Sequence, residues 1–284
     1  MEAKRMCEQC GETNKFHLKA MEEAPVRKAV VLLSGGIDSS TLLAAAVAEY
    51  GAHNVTALSL IYGQKHAKEL QSAEAIAAYY CVRHVVEDLG LVFRFSDSPL
   101  LSRSSQEVPD GSYADDITHE ADGISKTYVP YRNGLLLSYA AAIAYSIGAD
   151  EIHYGAHADD AAGNAYPDCT PQFYSAQAQA VFEGTGKKVN MVAPLINMFK
   201  KDVVAWGLEL GVPYEKTWSC YNGSDKPCGT CGTCVDRRIA FYANGTQDPL
   251  KYAGALQPTE GVIKTLESLG LEPWDYVTLQ THSE

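Results

Sequence analysis

Residues 26–50, VRKAVVLLSGGIDSSTLLAAAVAEY, hold the reading on which the fold turns. Residues 26–33 form an apolar, β-branched run that reads as a buried strand. Ser34-Gly35-Gly36-Ile37-Asp38-Ser39-Ser40 follows at once and opens a helical stretch over 39–50. Two glycines let the backbone turn tightly and bring its N–H groups close to an anion. The helix amino terminus adds unpaired donors and the positive end of its dipole, and Ser34, Ser39 and Ser40 add hydroxyls. Strand, glycine loop and helix in this order make a cradle for a phosphate chain. The loop is not a Walker A motif, because no Gly-Lys-Ser/Thr follows at the required spacing, and it lacks the third glycine of the dinucleotide fingerprint. An ordinary helix start, with a glycine turn capped by Ser and Asp, is the plainer alternative.

Outward from this loop, apolar runs alternate with helical patterns. Residues 54–62, 82–89, 151–155 and 189–193 read as further strands, and 65–80 as a helix. The alternation predicts an α/β fold: a Rossmann-like, doubly wound, mostly parallel sheet with helices on both faces. Ligands in such sheets bind beyond the carboxyl ends of the strands, where strand order reverses. Residues 133–147 (NGLLLSYAAAIAYSI) are apolar on nearly every face and predict a fully buried helix. Residues 100–126, polar and without period, read as a lid or a structureless loop. Past Pro213 the texture becomes cysteine-rich. The expected organisation is a polar extension over 1–25, a nucleotide-binding unit over 26–212 and a small metal-bearing helical subdomain and tail over 213–284.

Composition narrows the function classes. The 284 residues are 46% hydrophobic, with no apolar stretch of membrane-spanning length, and the first twenty lack the apolar core of a signal peptide. A cytoplasmic protein is expected. The formal net charge of -12 favours a small-molecule substrate over a polynucleotide, since nucleic-acid binding draws most of its affinity from neutralising phosphates. Of eight cysteines, Cys220, Cys228, Cys231 and Cys234 fall within fifteen residues, spaced C-x7-C-x2-C-x2-C. Four thiolates at this density suit one tetrahedral Zn²⁺ with no open coordination position, a structural site. An iron–sulfur cluster is the runner-up. Cys7 and Cys10 form a C-x2-C pair with no second pair nearby, read as a tail without metal in preference to a site completed by His17 or by another chain. Cys81 reads as a core residue.

The pattern Ser-Gly-Gly-x-Asp-Ser resembles the loop of ATP pyrophosphatases, which cleave ATP between its α and β phosphates and leave AMP on the substrate. Four further stretches resemble one branch of that superfamily, the 7-cyano-7-deazaguanine synthases of queuosine biosynthesis. They are Tyr62-Gly63-Gln64-x-His66-x-x-Glu69, Thr127-Tyr128-Val129-Pro130-x-Arg132-Asn133, Tyr166-Pro167-Asp168-Cys169-x-Pro171-x-Phe173, and Trp218-Ser219-Cys220-Tyr221-Asn222-Gly223 with Lys226-Pro227-Cys228-Gly229 after it. The likeness runs from about residue 31 to about 245.

This resemblance implies conversion of 7-carboxy-7-deazaguanine, ATP and ammonia to the nitrile through an acyl adenylate, an amide and a second adenylation. It implies that Leu33, Ser34, Gly35, Gly36, Ile37, Asp38, Ser39, Ser40, Thr41, Leu42 and Leu43 bind ATP, with Asp38 placing Mg²⁺ and Ser39 among the catalytic groups. Lys200, opening a late helix after Pro194-Leu195, is the expected second phosphate contact. Arg132, Asn133 and Asp168 are the expected contacts to the base and its carboxylate, and a homodimer is the family expectation. Many members of the family carry glycine where Tyr131 stands, and 155–163 is richer in acid than their pattern. Both departures bear on which deazapurine is used. Two rivals stand beside this reading. A tRNA-base-modifying pyrophosphatase would need a basic face and usually a catalytic cysteine, for which Cys169 is the candidate. A non-catalytic zinc-bearing module would release no pyrophosphate.

Overall fold

A computed structural model of the chain describes residues 26–65, 68–110, 123–161, 165–222, 225–256 and 259–272. The expectations placed on Cys7, Cys10, His17 and His66 lie outside the described residues. Five strands form one sheet: β1 (Ala29–Leu32), β2 (Val55–Ile61), β3 (Arg83–Asp88), β4 (Glu151–His153) and β5 (Asn190–Val192). Their order is β3-β2-β1-β4-β5 and every pairing is parallel. All five expected strands are present, each shorter than the apolar run that signalled it. Parallel neighbours require long crossovers, and helices supply them. These are α1 (Ile37–Tyr50), α2 (Lys68–Tyr79), α3 (Arg132–Ile147), the single turn α4 (Ala158–Ala161) and α5 (Pro171–Gly184); α6 (Lys200–Glu209), α7 (Gly232–Ala243) and α8 (Glu260–Ser268) follow the last strand.

The alternation of side chains along a strand divides the core in two. Val31 packs with Leu42, Leu43, Ile76, Val203 and Val204, so α1, α2 and α6 cover one face. Its neighbour Val30 packs with Leu137, Ala140, Ala144, Ile152 and Val181, so α3 and α5 cover the other. The sheet is doubly wound, and strand order reverses between β1 and β4. There the Ser34–Gly36 loop and residues 154–157 leave the sheet side by side.

Two expectations change. Helix α3 is buried on one face only: Leu137, Ala140, Ala141 and Ala144 face the sheet, while Ser138, Ala142, Tyr145 and Ser146 are exposed. Its outer face is built from alanine, serine and tyrosine, residues small or polar enough to tolerate water, which a hydrophobic count does not separate from core. Residues 100–110 are not a free lid. Leu100, Leu101 and Val108 are buried in a cluster with Trp218, Cys220, Cys231 and Cys234, Leu101 bridges to Gln64 and Asp110 to Cys231, and the Asp110 carboxylate accepts from Thr230 at 2.7 Å. The anchoring partners lie far along the chain, so no local period announces them. Of that stretch, 111–122 fall outside the described residues.

The carboxyl-terminal part is tied to the sheet by one buried arginine. Arg237 on α7 donates to the Asp248 carboxylate (2.6 and 3.0 Å), to the Thr217 hydroxyl (2.7 Å) and to the Tyr214 carbonyl (3.1 Å). Tyr214 in turn shares a 2.8 Å hydrogen bond with Thr41 of α1. Helices α1 and α6 close around this pair at Gly207, where an added Cβ would collide with the Tyr214 hydroxyl and lie 2.8 Å from Thr41 Oγ1. Gly207→Ala is therefore expected to lower stability by about 1–3 kcal/mol through overpacking, seen as a lower urea midpoint with the slope unchanged. An unaltered midpoint would mean that this contact is looser than the packing indicates.

Candidate active site

The Ser34–Gly36 loop owes its shape to Gly35. Its φ is +89°, and a Cβ there would collide with the Glu69 carbonyl and lie 2.6 Å from the Ala73 backbone nitrogen. Only glycine meets both demands. The Gly35 carbonyl accepts from the Trp218 N–H at 2.8 Å, so the loop is held between the first turn of α2 and the segment that leads to the cysteines. Within it, Ser34 and Ser39 hydroxyls lie 3.0 Å apart, Ser39 Oγ accepts from Ser34 N–H at 3.2 Å, and Ser34 Oγ accepts from Gly36 N–H at 3.3 Å.

This loop forms one wall of a cleft of about 260 Å³. Leu33, Ser34, Gly36, Ile37, Asp38 and Ser39 face the cleft. The remainder of the expected ATP-binding run turns away, as a helical period dictates. Ser40 and Thr41 are fully buried, Thr41 donates to the Ile37 carbonyl at 2.9 Å, and Leu42 and Leu43 belong to the core. The part of the run that faces the cleft ends at Ser39.

At one end of the cleft stands Asp38, in the first turn of α1. Lys200, at the start of α6, donates to both its oxygens at 2.8 and 2.7 Å, bringing together two of the expected catalytic residues from 162 positions apart. Lys200 is itself fixed at the main chain, where its N–H donates to Asp159 Oδ2 at 2.6 Å. His157 is almost wholly buried and reaches the same group, with Nε2 3.4 Å from Asp160 Oδ2 and 3.8 Å from Asp38 Oδ1. Burial alone would raise the Asp38 carboxyl, but Lys200 and His157 outweigh it and hold it below the usual carboxylate range. Asp236 of α7 takes the opposite course. Burial pushes it up to about 8, with Asp159, Asp160 and Asp38 adding to the rise and Lys200 opposing it. Sequence reasoning missed His157, Asp160 and Asp236 as members of one group. They come from separate elements, and Asp236, two residues past Cys234, has no motif of its own.

At the other end stands Arg132, whose guanidinium lies over the Tyr62 ring at 5.2 Å and donates to the Tyr62 hydroxyl at 3.3 Å. Arg132 and Asn133 open α3 and line the cleft with Cys169, while Asp168 stands behind them. The Asp168 carboxylate accepts from the Asn133 backbone N–H at 2.9 Å and from its side-chain amide at 3.1 Å. It thereby caps α3 from a distance, while Thr170 caps α5 by accepting from Phe173 N–H at 3.1 Å. Burial raises the Asp168 carboxyl above its usual range, against Arg132 and the Asn133 hydrogen bonds. Cys169 is buried and held by the Asn133 amide at 3.2 Å, and burial pushes its thiol well up. A thiol kept neutral is a poor nucleophile, which weighs against a catalytic cysteine here. Tyr131 does not line the cleft. It precedes α3 in the left-handed region (φ 55°, ψ 25°) with its ring edge-on to Phe173 at 6.0 Å. The glycine of the family pattern is the residue that adopts this conformation without strain.

The four clustered cysteines converge. Their sulfurs all lie within 4.8 Å of one another, with Cys220–Cys228, Cys228–Cys234 and Cys220–Cys231 at 3.4, 3.9 and 4.0 Å. A tetrahedral centre with metal–sulfur bonds of about 2.3 Å has sulfur–sulfur edges of about 3.8 Å, so the donor set fits a single metal ion. Backbone N–H groups of Asn222 and Cys228 point at Cys220 Sγ (3.3 and 3.2 Å), and those of Thr230 and Cys231 at Cys228 Sγ (3.5 and 3.4 Å). Such donors stabilise thiolate, the form that binds metal. Trp218 and Ser219, next to Cys220, line the cleft.

Comparison with known proteins bears on this architecture. The family model described as "Queuosine biosynthesis protein QueC" matches residues 28–245. The 7-cyano-7-deazaguanine synthase of Archaeoglobus fulgidus is 46% identical over 224 residues, 78% of this chain and 89% of that protein. Those of Thermoplasma acidophilum and Pseudoalteromonas atlantica are 43% and 39% identical, each over 80% of this chain and over 92% and 99% of their own lengths. With the family match over most of its length and these relatives aligned almost end to end, the chain belongs to the QueC family of queuosine biosynthesis proteins.

Proposed function

We propose that the protein converts 7-carboxy-7-deazaguanine and ammonia to 7-cyano-7-deazaguanine at the expense of ATP, as a ligase forming carbon–nitrogen bonds. The observation that carries this reading is the meeting, in one cleft at the strand-order reversal, of the Ser34–Ser39 loop with Arg132 and Asn133. The relatives, 7-cyano-7-deazaguanine synthases, support it.

In this reading Leu33, Ser34, Gly35, Gly36, Ile37, Asp38 and Ser39 bind ATP, with the Ser39 hydroxyl and loop N–H groups turned to the departing pyrophosphate. Lys200 serves the same phosphates. Asp38, with Asp160 and Asp236 beside it, offers the oxygen ligands that Mg²⁺ takes, and that ion would neutralise phosphate charge. Arg132 pairs with the substrate carboxylate. Asn133, oriented by Asp168, presents its amide to the base. A carboxylate resists ammonia because its charge repels nucleophiles and oxide leaves badly. Transfer of AMP supplies a phosphate leaving group, giving first the amide and, after a second adenylation on the amide oxygen, the nitrile. The unit over 26–212 carries this chemistry, and the segment 213–284 binds structural Zn²⁺ through Cys220, Cys228, Cys231 and Cys234. The proposed setting is cytoplasmic, with small molecules as partners and neither nucleic acid nor membrane. No helix among the described residues is long and apolar enough to cross a bilayer. A homodimer is proposed, for which the exposed Leu91, Val92 and Phe95 offer apolar surface.

The test is release of pyrophosphate and AMP with ATP, Mg²⁺, ammonia and 7-carboxy-7-deazaguanine, with product mass followed alongside. A nitrile is expected, and neither amide nor nitrile from this acid would overturn the reading. Asp38→Ala should reduce turnover by at least about 10²–10³-fold, the scale of losing a fixed electrostatic contact at developing charge, with metal content and circular dichroism unchanged. Cys231→Ser should lose the metal, read as zinc per chain by elemental analysis, and with it the folding of the carboxyl-terminal segment. A Cys231→Ser protein with a full complement of zinc would contradict the ligand set.

A further inference from the structure

Turning ammonia into a nitrile nitrogen removes three protons from one atom. The first leaves when ammonia attacks the acyl adenylate, and the others when the amide is adenylated on oxygen and collapses. The carboxylates around the cleft differ in their freedom to take these protons. Asp38 is engaged by Lys200 and Asp168 by Asn133. Asp236 stands at the Lys200 end, among Asp38, Asp159 and Asp160. Glu69 remains.

Glu69 lies in the first turn of α2 and lines the cleft. Its main chain packs on Gly35, so its position is fixed relative to the phosphate loop. The charged and titratable described groups that act on its side chain are Arg132 and Tyr62, the pair at the end of the cleft proposed above for the substrate carboxylate. Its carboxyl accepts no hydrogen bond from a described residue, although it is half-buried. Burial pushes it up to about 7, with Arg132 opposing, which leaves it basic enough to accept a proton and able to release it to water near neutrality.

We propose that Glu69 is the general base that takes protons from the reacting nitrogen. This rests on the substrate reading above. In the first step the ammonia lone pair forms the C–N bond and an N–H proton passes to the Glu69 carboxylate. The C–O bond to AMP breaks with its electron pair on the phosphate oxygen. After the amide oxygen has displaced pyrophosphate from a second ATP and the acidified nitrogen has given one N–H proton to water, the remaining N–H proton passes to Glu69. The nitrogen lone pair completes the triple bond, and AMP leaves with the C–O pair. Between steps Glu69 returns its proton to water.

The test is Glu69→Gln in the full chain, with hydroxylamine as a second nucleophile. Hydroxylamine is largely neutral at pH 7 and gives a hydroxamate whose single lost proton water accepts readily. Three results are expected together: acid-dependent exchange of labelled pyrophosphate into ATP within about threefold of wild type, hydroxamate formation within about tenfold, and amide and nitrile formation from ammonia reduced at least about 100-fold. Loss of exchange would make Glu69 a binding residue. Equal loss with both nucleophiles would make it a structural one. Nitrile formation within threefold of wild type would dispense with it. Each of these overturns the proposal. A wild-type protein that forms neither nitrile nor hydroxamate overturns the substrate reading itself, and this proposal falls with it.

Discussion

The main-chain hydrogen bond from Trp218 to the Gly35 carbonyl, 2.8 Å long, is the joint on which the cleft depends. On one side it holds a turn that only glycine forms, pressed against the first turn of α2. On the other it begins the segment whose next anchor is Cys220, the first of the four converging sulfurs. The buried Arg237 ties the same segment to Tyr214 and Asp248, and Tyr214 reaches Thr41 on the helix that the loop opens. The cysteine cluster contributes no group to the chemistry in this arrangement. It fixes the backbone that closes over the phosphate loop and brings Asp236 to the cleft.

The local features of this fold were legible. Parallel strands announce themselves as short apolar runs, and the glycine loop at the first strand's end carries its own physical reason. The cysteines declared their convergence by spacing alone. What escaped sequence reading was set by distance. Asp168 caps α3, because the donors it meets come from 35 positions upstream. His157, Asp160 and Asp236 carry ordinary side chains, and only the sheet order and α7 bring them to Asp38. Residues 100–110 lack a period because they are held by single contacts to Gln64, Thr230 and Cys231 and not by a repeating face. The expected ATP-binding run leaves the cleft after Ser39 for a related reason: a motif is linear, and a helix turns Thr41 through Leu43 inward.

The cleft separates charge along its length. Lys200 and Asp38 sit at the end where phosphates are proposed, and Arg132 at the other, with Tyr62 beneath it. Carboxylates outnumber cations near Lys200, and they add to the rise that burial imposes on the Asp236 carboxyl. Tyr131 illustrates the limits of pattern matching in the same region. It bears strain of about 1–2 kcal/mol for a left-handed backbone. Its side chain packs on Phe173 outside the cleft wall, so it bears on the start of α3.

The Trp218–Gly35 joint also has a consequence for biogenesis. Its two residues stand about 180 positions apart, and synthesis at roughly 5–20 residues per second separates their appearance by about ten to forty seconds. For that interval the nascent chain carries a glycine loop with only one of its two walls. The second wall arrives only when Trp218 has emerged from the ribosome and its N–H can meet the Gly35 carbonyl. Completion of the loop is thereby deferred by the time needed to synthesise the intervening stretch.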